Sequence, residues 1–105
     1  MRKITQDAVR AFYEKKNFLR DNTKVIAGLE TVNMYLHGTL IARATPQGLW
    51  INDGNYQSNT TKERLNGFPN VNIHQKNWQW FLNGEAWDGN EIQVMWGTAG
   101  INWGL

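Results

Sequence analysis

The stretch VNMYLHGTLIARATPQGLWIND, residues 32–53, decides the fold class. It holds three short apolar runs, separated by the dipeptide HG and the tripeptide PQG. Glycine and proline favour tight turns, and short runs between such turns are typical of antiparallel strands. In the middle run Leu40, Ala42 and Ala44 stand two residues apart, so we expect them to share one face. The stretch predicts three successive strands.

On the N-terminal side the hydrophobic period changes to that of a helix. Val9, Phe12 and Tyr13 recur at i, i+3 and i+4, and Thr5 stands where a capping residue belongs. This spacing predicts an amphipathic helix over residues 6–17. The run TKVIAGL, residues 23–29, is a further strand candidate.

On the C-terminal side the alternation predicts more strands. Trp78, Trp80 and Leu82 alternate with Gln79 and Phe81. The Asn-Gly pair that follows is the strongest short signal for a hairpin turn. The run EIQVMW, residues 91–96, alternates again and predicts that Ile92, Val94 and Trp96 share a face.

A short helix interrupts the strands within SNTTKERLNGFPN, residues 58–70. Thr60 followed by Glu63 has the spacing of a capping box, and Gly67 stands where a left-handed residue would end the helix. We therefore expect a helix over residues 61–66, with Lys62 and Arg64 pointing outward.

The predicted fold is α+β in a single domain, residues 1–105. An N-terminal amphipathic helix packs on an antiparallel sheet of five or six short strands, and the short helix at about 61–66 is inserted mid-chain. The last ten residues carry no charged side chain, so we expect Ile101, Trp103 and Leu105 to dock in their own domain or in a twin subunit.

Composition narrows the class of protein. The 105 residues include no cysteine, which excludes disulfides and thiolate metal sites. No stretch is apolar enough to predict a signal peptide or a membrane span. His37 and His74 lack metal-ligand spacing, and no nucleotide-binding or nucleophile motif occurs. We expect no enzyme activity, no cofactor and no metal.

Three blocks resemble a family of small, mostly phage-encoded proteins of unknown function. They are MYLHGTLIA, SNTTKERLNGFPNVNIHQKN and WFLNGEAWDG, and the resemblance covers roughly residues 22–89. It implies a phage protein that works in the cytoplasm of a bacterial host. It supplies no catalytic residues.

The charge is uneven along the chain. Residues 1–24 hold seven basic against three acidic residues, a net +4, which leaves −2 for the rest because the whole chain carries +2. A basic end attracts nucleic acid or an acidic protein surface, although it also suits a solvated helix face. The candidate partner-binding residues here are Arg10, Lys15, Lys16 and Arg20.

Two further clusters have both a structural and a functional interpretation. Trp78 and Trp80, with Lys76 beside them, are either core residues or a stacking platform for bases or side chains. The start of the short helix either is simply capped or binds an anion. The candidate anion-binding residues are Thr60, Thr61, Lys62 and Arg64, of which the last two are also candidate partner-binding residues.

Three functions are compatible with these features. The first is a non-catalytic phage-encoded binding protein that inhibits a host antiviral defence system, similar to an anti-CRISPR, by covering a protein or nucleic-acid site. Its partner would be a host protein or ribonucleoprotein complex. The second is a protein that sequesters a phosphate-bearing nucleotide, and the third a nucleic-acid-binding accessory protein of phage replication. A homodimer is compatible with all three.

Overall fold

The structure, a computed structural model, describes residues 2–104. It contains two helices and nine short strands within that range. In chain order they are α1 (Lys3–Glu14), β1 (Phe18–Arg20), β2 (Thr23–Ala27), β3 (Val32–Leu36), β4 (Thr39–Thr45), β5 (Gly48–Ile51), α2 (Asn59–Leu65), β6 (Ile73–Lys76), β7 (Gln79–Leu82), β8 (Glu85–Ala86) and β9 (Ile92–Val94).

The strands form two antiparallel sheets. The larger has six strands in the order β1-β2-β3-β4-β5-β9, and the smaller has three in the order β6-β7-β8. Neighbours follow chain order because tight turns join them, except that β9 returns to pair with β5. The α+β prediction is confirmed, with six strands beneath the N-terminal helix; the separate three-stranded sheet and strand β1 were not predicted.

The core lies on one face of the six-stranded sheet. In β2 and β3 every second side chain is buried, and Val25, Met34 and Leu49 are almost fully enclosed. Residues from both helices and from the smaller sheet belong to the same buried cluster. All these elements therefore cover one face of the large sheet, and no element within residues 2–104 covers its other face.

A bulge in β4 corrects the predicted alternation. Tyr35 of β3 pairs with Leu40, whereas Met34 pairs with Ala42, so Ile41 is an extra residue in β4. Ile41 and Ala42 are both buried, and Leu40 faces the same side as Tyr35. Leu40 therefore does not share a face with Ala42 and Ala44.

Helix α1 begins earlier than predicted. It spans Lys3–Glu14, and Arg2 precedes it without a side-chain cap. Thr5 is fully buried within the helix instead of capping it. The helix ends at Glu14 and not at residue 17 as predicted, because the next residue, Lys15, has the left-handed φ of 55°.

Helix α2 begins with a different cap from the one expected. Ser58 Oγ accepts a hydrogen bond of 3.1 Å from the backbone N–H of Thr61, so Ser58 is the cap and Thr60 lies inside the helix. Gly67 is not among the residues with positive φ. It is required for another reason: a Cβ there would lie 2.6 Å from Thr5 Cγ2 of α1.

The C-terminal tail docks on its own domain as expected. Ile101 is buried, Trp103 packs against the core, and the N–H of Asn102 donates to the carbonyl of Tyr13 at 2.8 Å. Leu105, the third apolar residue of that prediction, lies outside the described residues. Trp96 is exposed with φ of 59°, so it does not share a face with Val94.

Candidate functional site

The uncovered face of the six-stranded sheet presents ordered rows of side chains, and we call it the outer face. Cross-strand pairing places its side chains in two rows. The first row is Leu19, Lys24, Tyr35 and Leu40, and the second is Ile26, Asn33, Arg43, Trp50 and Gln93.

Two cation–aromatic pairs lie on the outer face. Lys24 Nζ is 5.4 Å from the centroid of the Tyr35 ring, and Arg43 Cζ is 4.6 Å from that of Trp50. Arg43 also lies 3.5 Å from a carboxylate oxygen of Glu91. Each cation is within the distance at which an aromatic face attracts it, so these long side chains are held over the sheet.

A buried amide marks the middle of the outer face. Asn33 Nδ2 donates to the Tyr35 hydroxyl at 3.3 Å. Its Oδ1 is enclosed and has no hydrogen-bond partner within the described part of the chain. An enclosed acceptor without a donor is costly, so this oxygen marks a locally unfavourable point of the sheet.

Apolar side chains are exposed at the β1 end of this face. Leu19 is 74% exposed, Ile26 is 43% exposed, and Leu29 after β2 is 90% exposed. Apolar groups beside Tyr, Trp and Arg resemble the composition of protein–protein interface cores. Sequence analysis missed this surface, although the cross-strand alternation of Tyr35, Arg43 and Trp50 is a signal that would have indicated it.

The tryptophans of the smaller sheet divide into two environments. Trp80 and Trp87 are 2% and 5% exposed and belong to the core, so the core interpretation is correct for them. Trp78 is 90% exposed at the turn between β6 and β7 and is therefore not on the same face as Trp80. Trp80 is thus removed from the candidate partner-binding residues, whereas Trp78 stays among them.

One lysine lines the same depression as the exposed Trp78 ring. Lys62 Nζ donates to Gln75 Oε1 at 3.1 Å and lies 5.8 Å from the ring centroid of Trp80. A shallow depression is lined by Lys62, Gln75, Asn77 and Trp78. Lys76 is exposed and directly precedes the turn.

Several cations of the basic N-terminal end lie beside its own acids, although residues 1–24 keep a net charge of +4. The Asp7 carboxylate receives Arg20 at 2.7 Å, Lys3 at 3.1 Å and Arg10 at 3.9 Å. Hydrogen bonds from Arg20 and Lys3 hold the pKa of Asp7 below its usual value. Lys16 lies 3.5 Å from Glu14.

Lys15 also has internal partners. Its Nζ donates to the Leu29 carbonyl at 2.6 Å and lies 5.0 Å from the ring centroid of Trp103. A partner-binding role for Arg10, Lys15, Lys16 and Arg20 stays a prediction, and these internal contacts weaken it.

The predicted anion site at α2 is not assembled. Thr61 is 4% exposed and Arg64 only 1% exposed, so Arg64 points into the core and not outward. Arg64 Nε donates to Thr23 Oγ1 and its Nη1 to Thr5 Oγ1, each at 2.9 Å. Its charge is used to join α2 to α1 and β2, which leaves it unavailable to a partner.

Glu63 completes this buried network. Its carboxylate accepts hydrogen bonds from Arg64, from the Thr5 hydroxyl and from the backbone N–H of Arg2. Burial acts to raise the pKa of Glu63, but these hydrogen bonds and the Arg64 charge hold it below its usual value. Burial lowers the pKa of Arg64, and the Glu63 charge opposes that effect. The capping-box role expected of Glu63 is replaced by this contact between helices.

A cavity of about 260 Å³ lies beside the start of α2. Ser58, Thr60 and Thr61 supply hydroxyl groups to its wall, and Asp53 supplies a carboxylate. None of the described residues that line it is Lys or Arg. A phosphate is disfavoured beside an uncompensated carboxylate, so this cavity does not support the nucleotide-sequestering hypothesis.

The histidines lie in unrelated places. His37, with φ of 51°, occupies a turn, and His74 stacks on Phe81 with ring centroids 5.0 Å apart. Across residues 2–104, the structure contains no cluster of three His, Asp or Glu side chains that could hold a metal ion. Within the same range, neither helix is long and apolar enough to cross a membrane.

Comparison with known proteins identifies the family. Residues 1–100 match the family described as Kyanoviridae Gp96 protein. The chain belongs to this family. Kyanoviridae are phages, so the resemblance to a small phage protein family is confirmed. No curated protein and no solved structure matches the chain. The family description states no activity, ligand or partner.

Proposed function

We propose that this Kyanoviridae Gp96 protein is a non-catalytic binding protein that inhibits a host antiviral defence complex by covering one of its surfaces. The observation that carries the proposal is the outer face, because it combines aromatic, cationic and apolar groups in ordered rows. Small phage proteins that act in a host cell commonly block host machinery, and that association supports the inhibitory role. The protein would act in the cytoplasm of the infected bacterium.

The chemistry of the outer face favours a protein surface with acidic groups. Lys24 and Arg43 present positive charge in the centre of the rows, and only Glu91 opposes it among the partners of Arg43. Leu19 and Ile26 supply apolar area at one end. Interface energy usually comes from a few aromatic and arginine residues surrounded by weaker contacts, which this arrangement provides.

The proposal does not require a second copy of the chain. The apolar tail residues Ile101 and Trp103 pack against their own domain. Their apolar character therefore no longer argues for a second subunit that would cover them. A homodimer stays a prediction that light scattering tests.

A plating assay tests inhibition directly. The protein is expressed in bacterial strains that each carry one defined defence system, including CRISPR–Cas systems, and each strain is infected with a phage that the system restricts. We expect plating of the phage to rise on at least one restricting strain and to stay unchanged on the matched strain without the system. No rise on any strain of the panel would contradict the inhibitory role.

Charge-reversal variants connect inhibition to the outer face. Lys24→Glu combined with Arg43→Glu reverses the two central cations and should abolish the rise in plating. Arg10→Glu combined with Lys16→Glu reverses two exposed cations of the N-terminal end and is the matched control. If the control variant loses inhibition and the outer-face variant keeps it, the basic N-terminal end binds the target and the outer face does not.

A further inference from the structure

Three of the five two-residue hairpin turns among the described residues have positive φ at both positions, and one of these three has an unusual residue. The turns are His37-Gly38, Asn77-Trp78 and Asn83-Gly84, between strands paired at both sides of each loop. All six residues have positive φ, as the type I′ turn requires. Two turns use glycine at the second position, whereas the third has Trp78 with φ of 66°.

Trp78 is strained without any gain from packing. A bulky side chain at positive φ is a true outlier, and such strain persists where function requires it. Burial does not explain the choice, because Trp78 is 90% exposed. Glycine would form the turn at lower cost.

The surroundings of Trp78 indicate which ligand the ring would take. Lys62, Gln75 and Asn77 line the depression next to the indole ring, and Lys76 precedes the turn. None of these described neighbours is acidic. An aromatic face stacks on a nucleobase, amides bind base edges, and lysines bind phosphates.

We propose that the tip of this hairpin is a binding site for single-stranded nucleic acid. One base stacks on Trp78, and Lys62 and Lys76 bind the phosphates beside it. A single strand is required because bases in a duplex are already stacked on each other. The site lies on the smaller sheet and is independent of the outer face and of the function proposed above.

The second exposed tryptophan provides a matched control. Trp96 also has positive φ, at 59°, and is 77% exposed. Its neighbours in the adjoining pocket include no lysine or arginine within the described residues. Trp78→Gly and Trp96→Gly therefore remove the same ring and relieve the same kind of strain, but only the first removes a ring that shares a depression with a lysine.

Fluorescence anisotropy with labelled oligothymidine, oligouridine and a blunt duplex tests the proposal on the purified protein at low salt. We expect the single strands to bind more tightly than the duplex. Trp78→Gly should weaken single-strand binding by about fivefold to a hundredfold, since stacking of one base has that range of effect. Trp78→Phe should keep most of the affinity, and Trp96→Gly should keep all of it.

Thermal unfolding separates loss of the site from loss of the fold. Trp78→Gly should melt at or above the wild-type temperature because the left-handed position no longer holds a bulky residue. A variant that binds less well while it unfolds no earlier has lost a contact and not its structure.

Salt dependence tests the lysines. The slope of log affinity against log salt should fall by about 0.7 for each lost phosphate contact in Lys76→Gln. Lys16 lies just after helix α1 and outside the smaller sheet, so Lys16→Gln should leave the slope unchanged. The proposal is overturned if neither single strand binds, if the duplex binds equally well, or if Trp78→Gly and Trp96→Gly lose the same affinity.

Discussion

Replacing Arg64 by methionine should destabilise the domain strongly, because the guanidinium group is a buried junction between three elements. Arg64 is 1% exposed, and it donates to Thr23 of β2 and to Thr5 of α1. It also forms an ion pair with its neighbour Glu63. Methionine fills a similar volume but leaves both hydroxyl groups and the carboxylate without this donor.

The magnitude follows from the partners that are lost. Removing one member of a buried ion pair costs about 3–5 kcal/mol, and hydrogen bonds to a charged group contribute about 1.5–3 kcal/mol. The Glu63 side chain is 27% exposed and keeps its bonds from Thr5 and Arg2, so water and these donors reduce the penalty. We expect a loss of about 3 kcal/mol, or roughly 15 °C in melting temperature for a domain of this size.

Urea unfolding followed by far-UV circular dichroism and tryptophan fluorescence measures the change. The midpoint should fall with little change in slope. Lys62→Met is the matched control on the same helix; its side chain is half-buried, so the loss should stay well below that of Arg64→Met. If Arg64→Met loses less than about 1 kcal/mol, the buried network does not stabilise the fold in the way argued.

The pH dependence gives a second measurement of the same pair. Because the folded pKa of Glu63 is lowered, its contribution to stability is complete above its unfolded pKa and is lost as pH falls through the folded value. Arg64→Met removes one cause of the lowering, so this variant should lose less stability between neutral and acid pH than the wild type. An identical acid dependence in both proteins would contradict the coupling.

Three further predictions concern the cap of α2, the close contact between Gly67 and α1, and the buried hydroxyl group of Tyr13. Ser58→Ala should lower the free energy of unfolding by about 1 kcal/mol because Ser58 caps α2. Thr60→Ala should change it by less than about 0.5 kcal/mol. Circular dichroism melts measure both variants, and the reverse order would identify Thr60 as the cap. Gly67→Ala should lower the free energy of unfolding by about 1–3 kcal/mol, because its Cβ would lie 2.6 Å from Thr5 Cγ2 and 2.8 Å from Val9 Cγ2. Adding Val9→Ala should recover part of that stability. Unchanged stability in Gly67→Ala would refute the close approach of α1. Burial raises the pKa of the Tyr13 hydroxyl to about 12. The contribution of Tyr13 to stability is therefore complete below its unfolded pKa and is lost as pH rises toward 12. Tyr13→Phe should flatten this alkaline decline in stability, and an equally steep decline would contradict the raised pKa.

Local patterns predicted the parts of this fold that depend on neighbouring residues. The dipeptides at residues 37–38 and 83–84 form two-residue turns as expected, because positive φ is a local property of the backbone. The amphipathic spacing of Val9, Phe12 and Tyr13 likewise predicted α1 within a few residues. The phage family was also predicted from sequence blocks alone.

Side-chain environments were predicted less well, since they depend on residues far apart in the chain. Arg64 was expected outside because an isolated guanidinium group prefers water. It is inside because Thr5, Thr23 and Glu63, two of them more than forty positions away, together satisfy its hydrogen bonds. The extra residue in β4 was also not predicted, because a bulge depends on how β4 pairs with β3.

The sequence by itself determined both helices, most of the strands and several of the turns, and it indicated that the protein belongs to a phage family. Only the tertiary structure decided which tryptophans are core and which are exposed, and which face of the large sheet stays uncovered. Trp78 and Trp80 are two residues apart and were expected on one face, yet the first lies in the turn at 90% exposure and the second in the core at 2%. The physical reason is that turn propensity and hydrophobic period act over a few residues, whereas burial depends on contacts between distant elements.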